Sequence, residues 1–333
     1  MNVGILGAGF MGGTHARGYA KIDGIKIAAI SSRSLENAKK LTDEVGGIPT
    51  TDDLSILNDP SIDAVSITLP TYLHKATLLA ALQAGKHVLL EKPFALTVAE
   101  CDELIVVWQK SRSLLMIGQT LRFWPEYVAL VEFVHSGALG RPFSAVATRL
   151  SQRPAWSSWF TQPDKSGGAV LDLMIHDLDA LNWLLGEPKT VYARGQQTDE
   201  GSWNHMLTTV DYGSASAMIE ASALLPQGYP FSMSLAVLCE NGRVEYNFKA
   251  GGVSVEEGSG LNSLMVYESD LSYPLESKPA ANGDAWSAEV AYFVECVRKG
   301  IQPQIGHPEQ ARLAVALANG TRQSLEQGTV ISF

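Results

Sequence analysis

The chain opens with an apolar strand, Val3–Leu6, that runs directly into Gly7-Ala-Gly9-Phe10-Met11-Gly12 and then into a helical pattern over Met11–Ile22. No other stretch narrows the choice of fold so far. Three glycines at this spacing, between a strand and a helix, are the fingerprint of a dinucleotide cradle. Gly7 allows the tight turn, Gly9 lets the backbone approach a pyrophosphate, and Gly12 permits the helix to pack closely on the strand. The helix N-terminus at Phe10 and Met11 then faces negative phosphates with unpaired N–H groups. A glycine-rich turn without a ligand is the plainer alternative, and the flanking strand and helix argue against it.

Strands and helices keep alternating as far as residue 120. Short apolar strands at Ile25–Ile30, Ala64–Thr68, His87–Leu90 and Leu115–Gln119 are interleaved with helical patterns at Leu35–Val45, Tyr72–Ala84 and Val98–Gln109. Thr97-Val-Ala-Glu100 predicts a capping box for the last helix, and Gly85 ends the one before it. This alternation predicts a doubly wound parallel sheet over residues 1–120.

Beyond residue 120 the texture changes. One helix, Glu126–His135, closes at Gly137. Successive strands are then predicted at Phe143–Leu150, Val191–Gln196, Met206–Tyr212, Ala215–Ala221, Met233–Leu238, Arg243–Phe248 and Gly252–Val255. Asn241-Gly242 reads as a type I′ hairpin turn, and the polar stretch from Glu256 to Asn262 reads as a further turn. Two helices, Ala285–Lys299 and Pro308–Gln327, complete the chain. The expectation is a second domain over residues 121–333, an α+β unit with a large, mostly antiparallel open sheet.

Composition excludes some partners. With 333 residues, 46% of them hydrophobic, the chain can bury cores for two domains. Its net charge of −10 repels phosphate backbones, so nucleic acid is not an expected partner. Cys101, Cys239 and Cys296 are far apart, odd in number and form no CxxC, which fits small core residues in a reducing compartment. The N-terminus lacks a basic n-region and a cleavage site. No apolar run approaches the roughly 18 residues of a membrane helix. A soluble, cytoplasmic protein is expected.

The strand that should carry an acid for the ribose of NAD ends instead in Ile30-Ser31-Ser32-Arg33-Ser34. Ser32 and Arg33 suit a 2′-phosphate, so NADP is the expected preference. NAD stays open, because Arg33 can also lie on an adenine face or simply be solvated before a helix capped by Ser34. Two further strand ends line the crevice expected of a parallel sheet. One carries Thr68-Leu69-Pro70, with His74 shortly after. The other carries Glu91-Lys92-Pro93. Leu69, Pro70, Glu91, Lys92 and His74 are therefore candidate cofactor contacts, although His74 equally suits a cap on a helical turn.

Asp172 and His176, behind Gly167-Gly168, sit four apart in a helix read over Asp172–Leu185 and ended by Gly186 and Pro188. On a regular helix such residues share one face. An ordinary polar pair at a helix edge is the bland reading. No Cys or second His lies nearby at ligand spacing, so no metal is expected. The functional reading combines Lys92, Asp172 and His176. An imidazole with a reference pKa of about 6.5 can take a hydroxyl proton near neutrality. Asp172 can orient it or bind a substrate hydroxyl, and Lys92 can stabilise charge on the reacting oxygen. These are the parts needed to move a hydride and a proton between a nicotinamide and an alcohol. Trp156 and Trp159, in the stretch from Arg153 to Lys165, offer flat faces to a sugar ring among hydrogen-bonding neighbours. Packing against the sheet is their alternative use. Arg122 and Lys165 leave room for an acidic sugar.

Taken in order, GxGxxG, Thr68-Leu-Pro70-Thr-Tyr-Leu-His74, Glu91-Lys92-Pro93, Arg122-Phe123 with Pro125, and Gly167-Gly168 before Asp172 and His176 resemble the Gfo/Idh/MocA oxidoreductases. The resemblance spans essentially the whole chain. It implies a Rossmann domain, then an α/β domain with a large open sheet through which homodimers or homotetramers form. It also implies that Lys92 points at the reacting oxygen and that Asp172 and His176 are the substrate-side pair. Two positions depart from the pattern: Ala169 stands where a third glycine is common, and Gln119-Thr-Leu precedes Arg122 where a tyrosine is often found. The implied activity is an NAD(P)-dependent oxidoreductase acting on a sugar, cyclitol or polyol. A non-catalytic dinucleotide-binding regulator of the same fold is the alternative, and the intact Lys92, Asp172 and His176 favour the enzyme.

Overall fold

Strands covered on both faces are apolar throughout rather than alternating, and the N-terminal strands have that texture. They are β1 (Asn2–Leu6), β2 (Lys26–Ser31), β3 (Ile48–Thr50), β4 (Ala64–Ile67), β5 (His87–Glu91) and β6 (Leu115–Gly118). In the computed structural model, which describes residues 1–152 and 158–333, they form one six-stranded sheet in the order β3-β2-β1-β4-β5-β6. All its pairings are parallel. The order reverses between β1 and β4, the switch point at which open α/β sheets bind ligands. Helices α1 (Phe10–Ala20), α2 (Leu35–Val45), α3 (Asp53–Leu57), α4 (His74–Gln83) and α5 (Val98–Lys110) connect the strands. The capping box at Thr97 and Glu100 is present, with both bonds at 3.2 Å. β3 and α3 escape a reading by pattern. The strand is three residues long, includes Pro49, and lies at the sheet edge where a missing N–H is tolerated.

The remaining strands are β7 (Pro142–Gln152), β8 (Thr190–Gln197), β9 (Trp203–Asp211), β10 (Ser216–Leu225), β11 (Ser232–Cys239), β12 (Gly242–Ala250), β13 (Ser259–Glu268), β14 (Leu271–Pro274) and β15 (Ile331–Ser332). They make a nine-stranded sheet in the order β14-β13-β12-β11-β7-β10-β9-β8-β15. Only the central β7–β10 pair is parallel. Helices α6 (Pro125–His135) and α8 (Ile175–Leu185) pack together on this sheet. Tyr127 of α6 meets Tyr246 of β12 edge to face at 5.5 Å. The other helices are α7 (Pro163–Ser166), α9 (Ala285–Lys299) and α10 (Pro308–Gln327).

The structure corrects three local expectations. Residues 252–255 form no strand; bends there lead into a short 3-10 turn at Val255–Glu257. The stretch read as a turn from Glu256 to Asn262 is a turn only in its first half; from Ser259 it is the start of β13, where Ser259, Leu261 and Asn262 pair with β12. The β11–β12 hairpin exists, but Cys239 pairs with Gly242, so its loop is Glu240-Asn241. Neither loop residue has a positive φ, and a type I′ turn needs both positive.

Contacts divide the chain into two units, Met1–Trp124 with Pro279–Arg312, and Pro125–Lys278 with Leu313–Phe333. This differs from two contiguous blocks split at residue 120. The reason is α9. Its apolar stripe of Val290, Phe293 and Val294 is buried with Ile5, Tyr19 and Ile30 in the core of the first unit. A methyl group at Gly18 of α1 would lie 3.3 Å from Val290, so the two helices pack almost backbone to side chain. An amphipathic stripe shows that a helix is buried without saying against which domain.

Candidate active site

The cradle is built from backbone. Gly7 has φ +106°, a conformation open to glycine, and its N–H donates to the Ser31 carbonyl at 3.0 Å. Thr68, at the end of β4, locks the turn from the other side, its hydroxyl lying 3.0 Å from the Leu6 carbonyl and 2.9 Å from that of Gly7. A Cβ on Gly12 would fall 1.8 Å from the Gly7 carbonyl oxygen, so no side chain is tolerated there. Gly9 contrasts with both. It is exposed, and a Cβ on it would meet nothing within 4 Å. Gly9 also caps α1 without any side-chain bond, and the first turn holds no acid. The helix end, with Phe10 and Met11, is thus left to an external anion. This is the fit expected of a dinucleotide pyrophosphate.

At the end of β2, Ser32 is half-buried and Arg33 exposed. Ser34 caps α2 by accepting from the Asn37 N–H at 3.4 Å, as expected of its position. One feature here is invisible in the local sequence. The buried Ser31 hydroxyl donates to the carboxylate of Asp53, brought alongside by α3. A carboxylate therefore stands beside this strand end after all, supplied by the next βα unit.

At the end of β5, Glu91 is buried and Lys92 half-buried. Glu91 Oε2 accepts the backbone N–H of Lys92 at 3.1 Å, and its Oε1 lies 2.9 Å from His15 Nε2. His15, on α1, joins the cradle helix to the strand that carries the lysine. His74 is 1% exposed, with its ring nitrogens 2.8 Å from the Pro93 carbonyl and 2.9 Å from the Leu69 carbonyl. Burial lowers its pKa, against the raising effect of those two carbonyls. Lying between these two carbonyls, His74 braces Leu69-Pro70 to Pro93. Arg122 is buried on a 3-10 turn, Thr120–Phe123.

In the second unit, Gly167 and Gly168 have φ of +73° and +69°, and a Cβ on Gly167 would sit 2.3 Å from a Leu171 methyl group. This double left-handed turn starts the helix. The helix then departs from regularity, because Val170–Met174 is a π-helical turn and α8 begins only at Ile175. Asp172 lies in the π turn and His176 in the first turn of α8, both half-buried. The regular i,i+4 stacking read from sequence is replaced by a wider turn, a feature that recurs at functional sites. Next in sequence, Asp177 is 1% exposed and bonds bidentately to Arg149 of β7, at 2.7 and 3.0 Å. Burial pushes the Asp177 carboxyl up, and the guanidinium pulls it back. This pair fixes the start of α8 to the sheet. Trp159 is half-buried and stacked on Phe160 at 4.1 Å, so one of its faces already has a partner. Trp156 and the stretch around it, 153–157, lie outside the described residues.

Sequence reasoning assigns no role to Ser66, Glu289, Arg149 or Asp177. Two of them leave a trace: Glu289 interrupts the buried stripe of α9, and Asp177 that of α8.

Residues 1–119 match the model of the Gfo/Idh/MocA oxidoreductase family's NAD-binding Rossmann fold, and residues 127–245 match the family's C-terminal domain. The chain belongs to the Gfo/Idh/MocA oxidoreductases. It is 27% identical to the myo-inositol 2-dehydrogenase of Thermotoga maritima over 338 residues, covering 98% of this chain and 97% of that one. Among solved structures, the aldose-aldose oxidoreductase of Caulobacter crescentus has the same fold, with a TM-score of 0.86 at 23% identity and coverage of 100% and 99%. So does the 3-ketoreductase KijD10 of Actinomadura kijaniata, solved with NADP, at a TM-score of 0.85, 21% identity and 98% coverage of each chain. The chain is an oxidoreductase, and its strand β1, glycine loop and α1 are this family's nucleotide-binding element. The three buried cysteines carry free thiols. Among the described residues, no helix is long and apolar enough to cross a membrane.

Proposed function

We propose that this family member oxidises a secondary alcohol, or reduces the matching ketone, of a hydroxyl-rich sugar, cyclitol or polyol. The observation that carries the reading is the intact Lys92 at a parallel-strand end, in a chain that also keeps Asp172 and His176 behind the double-glycine turn. The inositol dehydrogenase relative supports the substrate class. A non-catalytic regulator would have no use for all three groups.

Gly7, Gly9, Phe10, Met11 and Gly12 would hold the pyrophosphate of NAD(P), and Leu69, Pro70 and Glu91 would flank its nicotinamide end. When bound, the nicotinamide supplies the two-electron chemistry, as acceptor or donor of the hydride. The chain's own residues handle the proton. In oxidation the substrate O–H proton passes to His176, while the C–H carbon gives up its hydride and the C–O bond becomes a carbonyl. Asp172 orients the imidazole or binds a neighbouring hydroxyl. The Lys92 ammonium hydrogen-bonds the reacting oxygen as negative charge develops there. Ser32 and Arg33 favour NADP, by charge-assisted bonds to the 2′-phosphate. Arg122 and Trp159 are candidate substrate contacts. The widely spaced thiols suit the cytoplasm.

We also read the protein as a homo-oligomer joined through the nine-stranded sheet. Leu207, Met218, Leu238, Leu261 and Tyr267 lie on its open face, each 37–48% exposed. Such an apolar surface is suited to burial against a second copy.

The test is turnover of neutral sugars, inositols, uronates and simple aliphatic alcohols with both cofactors, read by nicotinamide absorbance. Cyclitols or pyranoses should turn over, and His176→Ala should flatten the limb on which oxidation rises with pH. If aliphatic alcohols alone react, the sugar reading is wrong. If the pH profile of His176→Ala is unchanged, the proton goes elsewhere.

A further inference from the structure

Beneath Lys92 lies a buried polar cluster within the first unit. Glu289 of α9 is fully buried, and one atom each of His15, Glu91 and Glu289 lie within 4.8 Å of one another. The bonds around His15 form one chain. The Tyr19 hydroxyl lies 2.9 Å from Ser66 Oγ, Ser66 Oγ lies 3.1 Å from His15 Nδ1, and His15 Nε2 faces Glu91 Oε1. One assignment satisfies every member with a neutral imidazole. Tyr19 donates to Ser66, Ser66 donates to Nδ1, and Nε2–H donates to Glu91. Glu91 Oε2 also accepts from the Lys92 N–H, so in this assignment both carboxylate oxygens are acceptors.

Glu289 is placed differently. Its Oε2 meets the Thr120 hydroxyl at 3.5 Å, and its Oε1 has no partner. Two carboxylates this close, away from water, cannot both stay ionised. A divalent cation held by the same three residues would also neutralise them, and elemental analysis distinguishes it from a proton. We infer that Glu289 carries a proton in the working enzyme and is a positioning residue for Glu91 and, through it, for Lys92.

The charged and titratable groups on the elements packed against α9 are His15, Arg17 and Tyr19 from α1, His87 and Glu91 of β5 with Lys92 after it, and Arg122 on the turn that carries Thr120; Arg17 is at the surface, paired with Glu44. Burial first, then the charge of Glu91, raises the Glu289 pKa well above its ordinary value. A raised folded-state pKa gives stability that is complete below the unfolded value of 4.5 and is lost as pH rises toward the folded value.

Three measurements test this on the full-length protein. First, the infrared carbonyl band of a protonated carboxylic acid should persist at about pH 8, the upper end of the usual stability optimum, and disappear in Glu289→Gln. If Glu289→Gln does not fold, the same band should shift in Glu289→Asp. A band that is absent from the wild type, or indifferent to both variants, overturns the proposal. So does a stoichiometric divalent metal by elemental analysis. Second, wild-type melting temperature should fall relative to Glu289→Gln between about pH 5 and pH 8, and parallel melts overturn it. Third, kcat of Glu289→Gln should exceed that of Glu289→Ala by at least about tenfold, since misplacement near the chemistry is costly. Equal losses overturn the positioning role. The kinetic arm rests on the role given to Lys92 above. The first two do not, so a failure of that role leaves the proton still testable.

Discussion

The glycine loop of the first unit and the Asp172/His176 turn of the second are both tight turns into helices, yet they hold their shape by different means. In the loop the close contacts are to backbone, with one side chain, the Thr68 hydroxyl, bonding the Leu6 and Gly7 carbonyls. Gly7 bonds to Ser31, and Gly12 leaves no room between α1 and the Gly7 carbonyl. In the second turn the decisive contact is between side chains far apart in sequence, Asp177 on α8 and Arg149 on β7. The loop presents unpaired N–H groups to an anion. The turn presents an acid and an imidazole at a π-helical irregularity held by a buried ion pair. A backbone-built site tolerates little change at its glycines. A side-chain-built site should instead fail through loss of its distant support.

Substitutions at four places would break or sharpen this contrast. The largest effect on chemistry is expected at Lys92. Lys92→Met should lower kcat by roughly 10²–10⁴ while leaving cofactor affinity near normal, read by turnover and calorimetry on the same preparation. Next is the support of the turn. Arg149→Ala strands a buried carboxylate and should cost about 3–5 kcal/mol in denaturant unfolding. Removing both charges, with Arg149→Met and Asp177→Leu together, should recover most of that stability. A double variant as unstable as the single one would show that packing, not charge, holds α8. Third, Gly12→Ala drives a methyl group into the Gly7 carbonyl and should cost about 1–3 kcal/mol of stability as well as cofactor binding. Normal affinity there would mean that the loop yields more readily than its geometry implies. The smallest effect belongs to Arg33, which is exposed. Arg33→Ala should weaken NADP by about tenfold and NAD hardly at all, and equal affinities in the starting protein would remove the preference altogether.

Legibility in the sequence obeys the same division. GxGxxG is read locally because each glycine answers a local steric demand. The parallel strands are read because being covered on both faces leaves unbroken apolar runs. The capping box of α5 needs only Thr97 and Glu100. By contrast, β3 is three residues long with a proline at its centre, too short to show a period, and β13 begins with Ser259-Gly260, which carry no apolar alternation. The turn at Asn241 lies one residue from where the Asn-Gly dipeptide puts it, because pairing register decides which residues form the loop.

The amino-acid order by itself determined the cradle, the alternation that makes the parallel sheet, the candidate trio of Lys92, Asp172 and His176, and the family. Each is written in short motifs of neighbouring residues, where sterics and hydrophobic period act directly, and the family in the order of those motifs along the chain. The tertiary structure decided what required distant partners. It placed α9 in the first unit and set His15 and Glu289 around Glu91. It brought Asp53 to Ser31, set His74 between the Leu69 and Pro93 carbonyls, and tied Asp177 to Arg149. A buried charge or an amphipathic stripe announces that it needs a partner, but its chemistry is satisfied equally by many. The choice among them comes from the packing of the whole chain.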